Sequence, residues 1–134
     1  MKKCILFSLF GALMLMLMGS CNKCDSIYID KNKSYFSDFE VKNDKVYIKN
    51  YITFKNNFDT EKSVTLSTKL PDDVAIGLLR NEEVKALNDD GSETVFVLPP
   101  NGSKSFDVIF IGEYAGTNLK HDKSLSEIII KIVK

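Results

Sequence analysis

Apolar and polar residues alternate along much of this chain with a period of two. Over Val46–Phe58 the apolar residues take even positions, while lysines take several of the odd ones. This pattern predicts a strand with one buried face, and the polar interruption at Asn50-Tyr51 predicts a bend or a bulge there. A second alternating strand over Val64–Leu70 should end at Pro71, because proline has no N–H to donate to a ladder.

Further short segments of the same kind follow at similar spacing. Glu83–Leu87 and Thr94–Leu98 flank an Asp-Gly pair, which predicts a hairpin between them. Ser105–Ile111 follows a Pro/Gly turn and places Phe106, Val108 and Phe110 on one face. For two segments, the sequence does not decide between a strand and a helix. Residues 74–79 fit one helical turn or a short strand, and residues 124–134 combine a capping-box pattern with a β-branched run that favours a strand.

The spacing of these segments indicates the fold class. Roughly seven short strands with turns every ~8–12 residues predict an all-β sandwich. The run Leu98–Phe110 resembles a corner that is common in bacterial immunoglobulin-like domains, and the resemblance extends over residues 40–134. It implies an immunoglobulin-like antiparallel β-sandwich of about seven strands. Because the chain has no Trp and lacks the Cys pair of antibody domains, the antibody-type variety is excluded.

The first twenty residues have a different composition. Lys2-Lys3 precedes the apolar run Cys4–Met18, and the segment contains no Asp or Glu. As a helix, the run would span about 22 Å, which is short of the ~30 Å hydrocarbon core of a bilayer. A short positive segment followed by an apolar run of this length predicts a secretory signal peptide.

The residues that end this run resemble the lipobox of bacterial lipoproteins: Met18-Gly19-Ser20-Cys21. The resemblance implies transfer of diacylglycerol to the Cys21 thiol, cleavage before Cys21, and acyl chains such as palmitate as the anchor. We therefore expect a lipoprotein signal peptide at 1–20, a lipidated Cys with a short tether at 21–33, and a β-sandwich domain at 34–134. The protein should lie on the extracytoplasmic side of a bacterial cell membrane. If the cell is Gram-negative, that membrane is either the inner or the outer one.

The composition limits which ligands, metal sites and disulfides are possible. Lys plus Arg and Asp plus Glu are each 18, so the sequence has no basic footprint for nucleic acid. With three Cys and one His, a zinc site of four Cys/His ligands is nearly excluded, and we expect no metal and no cofactor. After processing, Cys24 is the remaining thiol, so no disulfide should hold the domain together.

Few residues are candidates for function. His121 is the single histidine, and it belongs to a polar segment, Gly112–Lys123, whose length is typical of functional loops. We interpret His121 as a surface residue of this loop and take it, with Asn118, as a candidate binding position. Tyr47 and Tyr51 fall on the outward face of their strand beside lysines and are candidates for binding a glycan, a peptide or a partner strand. The two alternatives for the tyrosines are that this sheet face is partly covered within the domain and that Tyr simply favours strands. The alternative for the loop is that it only connects two strands.

These observations favour a non-catalytic cell-envelope module that binds another envelope protein or a polymer. The alternative is self-protection, in which the lipoprotein shields its own cell from a toxin or a phage. We do not expect an enzyme, because the sequence has no Gly-x-Ser-x-Gly elbow and no phosphate loop.

Overall fold

The computed structural model describes residues 25–121 and 124–134. In this part of the chain, eight strands surround one apolar core. The strands are β1 (Ile27–Ile29), β2 (Tyr35–Lys42), β3 (Lys45–Asn56), β4 (Lys62–Lys69), β5 (Glu83–Ala86), β6 (Phe96–Leu98), β7 (Gly102–Glu113) and β8 (Ile128–Ile132). A 3₁₀ turn (Lys31–Lys33) follows β1, and one short helix, α1 (Pro71–Ala75), follows β4.

All strands belong to one antiparallel sheet that is nearly closed. One edge of β3 pairs with β7 over its full length, and the other edge pairs with β1 and β2. The sheet continues from β7 through β5 to β4, and β8 pairs with the far edge of β4. β1 and β2 therefore lie at one end of the sheet, β8 lies at the far edge of β4, and β6 pairs with β4 alone.

The alternation predicted from the sequence builds the core. Val46, Ile48, Ile52 and Phe54 of β3 are fully or almost fully buried, and they meet the inward residues of β4, β6 and β7. The Phe54 ring lies 6.4 Å from the Phe96 ring, so β3 packs directly against β6 across the interior. These contacts confirm the predicted all-β, antiparallel, sandwich-like class.

The structure decides between strand and helix for the C-terminal segment, whereas residues 74–79 divide between the end of a helix, a turn and one bridge. The C-terminal residues form strand β8, because the β-branched run Ile128–Ile132 pairs with β4 over five positions. Residues 71–75 form helix α1, with Pro71 in the first turn, where its missing N–H costs nothing. Leu79 makes one isolated bridge to Tyr114.

Two expectations on local structure are wrong, and a third holds only over a short stretch. The domain does not begin at residue 34: Ile27–Ile29, which we assigned to the tether at 21–33, forms β1 and pairs with β3. The bulge lies not in β3 but opposite it, between Phe36 and Asp38 of β2. The predicted Asp-Gly hairpin is present but short: Leu87 bridges to Glu93, and the Thr94 N–H donates to the Ala86 carbonyl at 3.0 Å. Beyond it, β5 and β6 both pair with β4 instead of with each other.

Candidate functional site

The gap between the two edges of the sheet forms a groove of about 710 Å³. We call this groove the seam. Its walls are β1 and the following turn on one side and the segment that leads into β8 on the other. The lining residues are Ile27, Tyr28, Ile29, Lys31, Ser34, Leu125, Ser126, Glu127, Ile128 and Ile130. Within the described residues, no ladder joins β1 to β8.

The hydrogen bonds of β8 show which of its backbone groups face the seam. The N–H of Val133 donates to the carbonyl of Ser63 at 2.8 Å, and this pair continues the β4–β8 register. In an antiparallel ladder, every second residue bonds to the partner strand, and the residues between point their polar groups away. The backbone groups of Ile128, Ile130 and Ile132 therefore point away from β4, and the first two of these residues line the seam.

The same argument applies to β1. The N–H of Asp30 donates to the Thr53 carbonyl at 2.9 Å, and the N–H of Asn57 donates to the Ser26 carbonyl at 2.9 Å. Both bonds fall on the β1–β3 register, so the backbone groups of Ile27 and Ile29 face away from β3. Each wall of the seam thus presents backbone donors and acceptors that no described residue pairs.

Along each wall, successive side chains alternate between the core and the outside, as they do in any strand. Ile27 and Ile29 on one wall and Ile128 and Ile130 on the other are half-buried and pack against the core. The alternate residues point outward: Tyr28 is 47% exposed and Ile129 is 41% exposed. The floor of the seam is therefore apolar, while its walls carry hydrogen-bonding groups.

The side chain of His121 packs beside β2. Its ring lies 5.4 Å from the Phe39 ring and 5.5 Å from the Phe36 ring. Its Nδ1 lies 2.7 Å from Oδ2 of Asp73 in α1, which is hydrogen-bond distance. The side chains of His121 and Asp73 are 2% and 6% exposed. The interpretation of His121 as a surface residue is therefore wrong.

The His121–Asp73 pair has the geometry of an oriented base, but its other nitrogen is not accessible. Nε2 is buried and has no hydrogen-bond partner among the described residues. A substrate would have to displace aromatic packing to reach it. Groups of three or more His, Cys, Asp or Glu that could hold a metal ion are absent from the described part of the chain. The contact with Asp73 and the packing on Phe36 and Phe39 instead hold the segment that contains His121 against the rest of the domain.

The segment after β7 is attached to the body at further points. The N–H of Ala115 donates to the Leu78 carbonyl at 2.8 Å, and the Thr117 hydroxyl donates to the Gly77 carbonyl at 2.8 Å. Gly77 has a φ of +89°, and a Cβ there would collide with Thr117, so the contact requires glycine. The side chain of Asn118 accepts the Lys120 N–H at 2.8 Å, which makes it part of a local turn. The loop is thus built into the fold over residues 114–121.

The two tyrosines lie apart from the seam walls and are half-buried. The ring of Tyr51 stacks on Tyr35 at 5.3 Å, and Lys42 Nζ lies 5.1 Å from the ring of Tyr47. Beside Tyr47, Lys45 Nζ is 2.6 Å from a Glu113 carboxylate oxygen. This hydrogen bond and the attraction between the charges lower the pKa of Glu113 and raise the pKa of Lys45. The face of β3 that carries Tyr47 and Tyr51 is therefore partly covered by neighbouring side chains of the same domain. This agrees with the alternative of a partly covered face.

Comparison with known proteins adds no relative: no family model, no curated protein and no solved structure matches this chain. Among the described residues, no helix is both long and apolar enough to cross a membrane. The predicted signal peptide and the lipobox with Cys21 lie outside the described residues.

Proposed function

We propose that the protein is a membrane-anchored bacterial lipoprotein whose β domain is a non-catalytic binding module of the cell envelope. The observation that carries the binding function is the seam, where backbone groups of two sheet edges and an apolar floor face the same groove. Unpaired edges are templates for association with another chain, and proteins normally cover or blunt them. The anchor rests on the lipobox sequence at Cys21.

The distance from the anchor to the seam supports this function. Ile27 begins β1, and it follows Cys21 by six residues. Six residues reach at most about 20 Å even when fully extended. A lipid on Cys21 would therefore hold the β1 wall close to the membrane surface, where membrane-proximal partners are available.

Photocrosslinking in whole envelopes tests the binding function. A photoreactive residue replaces Tyr28 or Ile129, which flank the seam, and Val97 on β6 provides the control. Val97 and Ile129 are equally exposed, at 41% each, so exposure alone cannot account for a difference between them. We expect a specific adduct from Tyr28 and Ile129 and none from Val97. Absence of adducts at both seam positions, or the same adducts at Val97, would contradict the proposal.

A further inference from the structure

We infer that the occupant of the seam is a single extended polypeptide strand, supplied by a partner protein, that pairs with β8 and β1 at once and completes the sheet. This inference rests on the proposed function and specifies the chemistry of the partner. It starts from the five residues whose backbone groups point away from β3 or β4 at these two edges: Ile27, Ile29, Ile128, Ile130 and Ile132. The first four of them line the seam.

An extended strand can form hydrogen bonds with the backbone groups of both walls, whereas other ligands can pair only part of these groups. A small apolar molecule would cover the floor at Ile27, Ile29 and Leu125 but leave the backbone groups of the walls unpaired. A second copy of this chain has no unpaired described strand to insert, because every strand already pairs on at least one edge. Its β8 could pair with this β8 edge to edge, but the β1 wall would then remain open. An inserted strand gains main-chain hydrogen bonds from both sides.

The topology determines the direction of the inserted strand. Five antiparallel steps lead from β1 through β3, β7, β5 and β4 to β8, so β1 and β8 run in opposite directions. A single strand between them must be antiparallel to one wall and parallel to the other. Since β8 is longer than β1 and antiparallel pairing is the more stable kind, we assign the antiparallel pairing to β8.

The side chains of the seam specify the pattern of the partner. Residues of an inserted strand alternate between the floor and the outside. Those that face the floor meet Ile27, Ile29, Ile128 and Ile130, and should be apolar and β-branched. Those that face outward lie level with Tyr28 and Ile129 and can be polar. The partner segment is thus about five to seven residues of alternating apolar and polar character, without proline in its centre.

Hydrogen exchange with a synthetic peptide tests this inference on the full lipidated protein in detergent. The probe is the capped peptide Thr-Ile-Thr-Val-Thr-Ile-Thr, and the control carries N-methyl groups on alternate backbone nitrogens. In the protein alone, the amides of Ile128, Ile130 and Ile132 should exchange quickly, while those of Ile129 and Lys131 are protected by β4. The probe should slow exchange at the first set, and at Ile27 and Ile29, and the methylated control should not. Equal effects of the two peptides, or no effect, would overturn the inference.

A pair of variants isolates the backbone donor. Ile132→Pro removes one N–H from the edge of β8 that points away from β4, next to the lining residue Ile130, and Ile132→Ala shortens the same side chain but keeps that N–H. We expect the proline variant to bind the probe roughly fivefold more weakly than the alanine variant, as the loss of one hydrogen bond implies. Equal affinities would contradict pairing at β8. A nitroxide on the N-terminus of the probe should broaden the signals of residues 132–134, and broadening near residue 125 instead would overturn the assigned direction.

The remaining outcomes separate this inference from the proposed function. Protection of the seam amides without peptide that rises with protein concentration would assign the seam to a second copy. The same protection independent of concentration would assign it to another segment of this chain. Either result overturns the inference. Protection by the probe together with no adduct in envelopes would support strand binding and contradict the envelope partner, and the reverse combination would support a partner of another shape.

Discussion

At the scale of single residues, the contact between Asp73 and His121 has the clearest energetic consequence. A buried carboxylate loses its hydration and is tolerated where a charge or hydrogen-bond donor compensates for it. His121 Nδ1 does so at 2.7 Å, and its ring also packs on Phe36 and Phe39. One side chain therefore joins α1, β2 and the segment before β8.

We predict that His121→Ala destabilises the fold by about 3–5 kcal/mol, because it leaves the buried Asp73 carboxylate without its partner. Urea unfolding of the single variants His121→Ala and Asp73→Ala and of the double variant measures this. The double variant should lose clearly less than the sum of the two single losses, since the two residues share one interaction. Asp72→Ala is the matched control: Asp72 is exposed on the same helix, and its loss should stay within about 0.5 kcal/mol. Additive losses, or a loss for His121→Ala no larger than that for Asp72→Ala, would contradict a coupled pair.

At the scale of elements, β1 makes more contacts that stabilise the domain than its length of three residues suggests. It covers the edge of β3 at Phe54–Asn56 and adds Ile27 and Ile29 to the rim of the core. The turn that follows it supplies the Ser34 hydroxyl that accepts the Thr53 N–H at 3.0 Å.

We predict that a chain beginning at residue 34 is less stable than one beginning at residue 25. The shorter chain lacks β1 and exposes part of the apolar surface around Phe54, so the free energy of unfolding should fall by about 2–4 kcal/mol. Urea unfolding of the two chains, followed by far-UV circular dichroism, measures the difference. Equal unfolding midpoints would show that β1 does not contribute to the stability of the domain.

The strands that sequence predicts well are those with a long alternating pattern. The apolar even positions of β3 and the β-branched run of β8 each contain enough repeats to show the period, and both strands are found. β1 has three residues, which is too few to show a period, and its pairing with Phe54–Asn56 depends on the tertiary fold. The Asp-Gly turn was found, but which strands pair is decided by β4, whose edge holds both β5 and β6.

The candidate site was predictable only in part for the same reason. The sequence places His121 in a polar segment next to Asp122, whereas its partner Asp73 is 48 residues away on α1. Tyr47 and Tyr51 do lie on the outward face, but the neighbours that cover them, Lys42 and Tyr35, come from β2. The seam has no sequence pattern of its own, since it is the place where the two edges of one sheet approach without pairing.

At the scale of the whole molecule, the proposed anchor and the seam would act together. A lipid on Cys21 and a β1 wall within about 20 Å of it would restrict partners to proteins or polymers at the membrane surface. Two acyl chains give stable anchoring, whereas one chain alone binds a membrane only marginally. Attachment at the surface also raises the effective concentration of any partner that is anchored in the same membrane.

The anchor leads to the last prediction, which concerns Cys21. Cys21→Ser should abolish incorporation of a clickable fatty acid and leave either an unprocessed precursor or a released protein, because serine offers no thiol for diacylglycerol transfer. Cys24→Ser is the matched control, since Cys24 lies three residues farther along and should leave labelling unchanged. In-gel fluorescence after metabolic labelling, together with fractionation of the envelope, measures both effects. Undiminished labelling of the Cys21 variant, or loss of labelling in the Cys24 variant alone, would contradict the lipobox assignment and with it the location of the seam near the membrane.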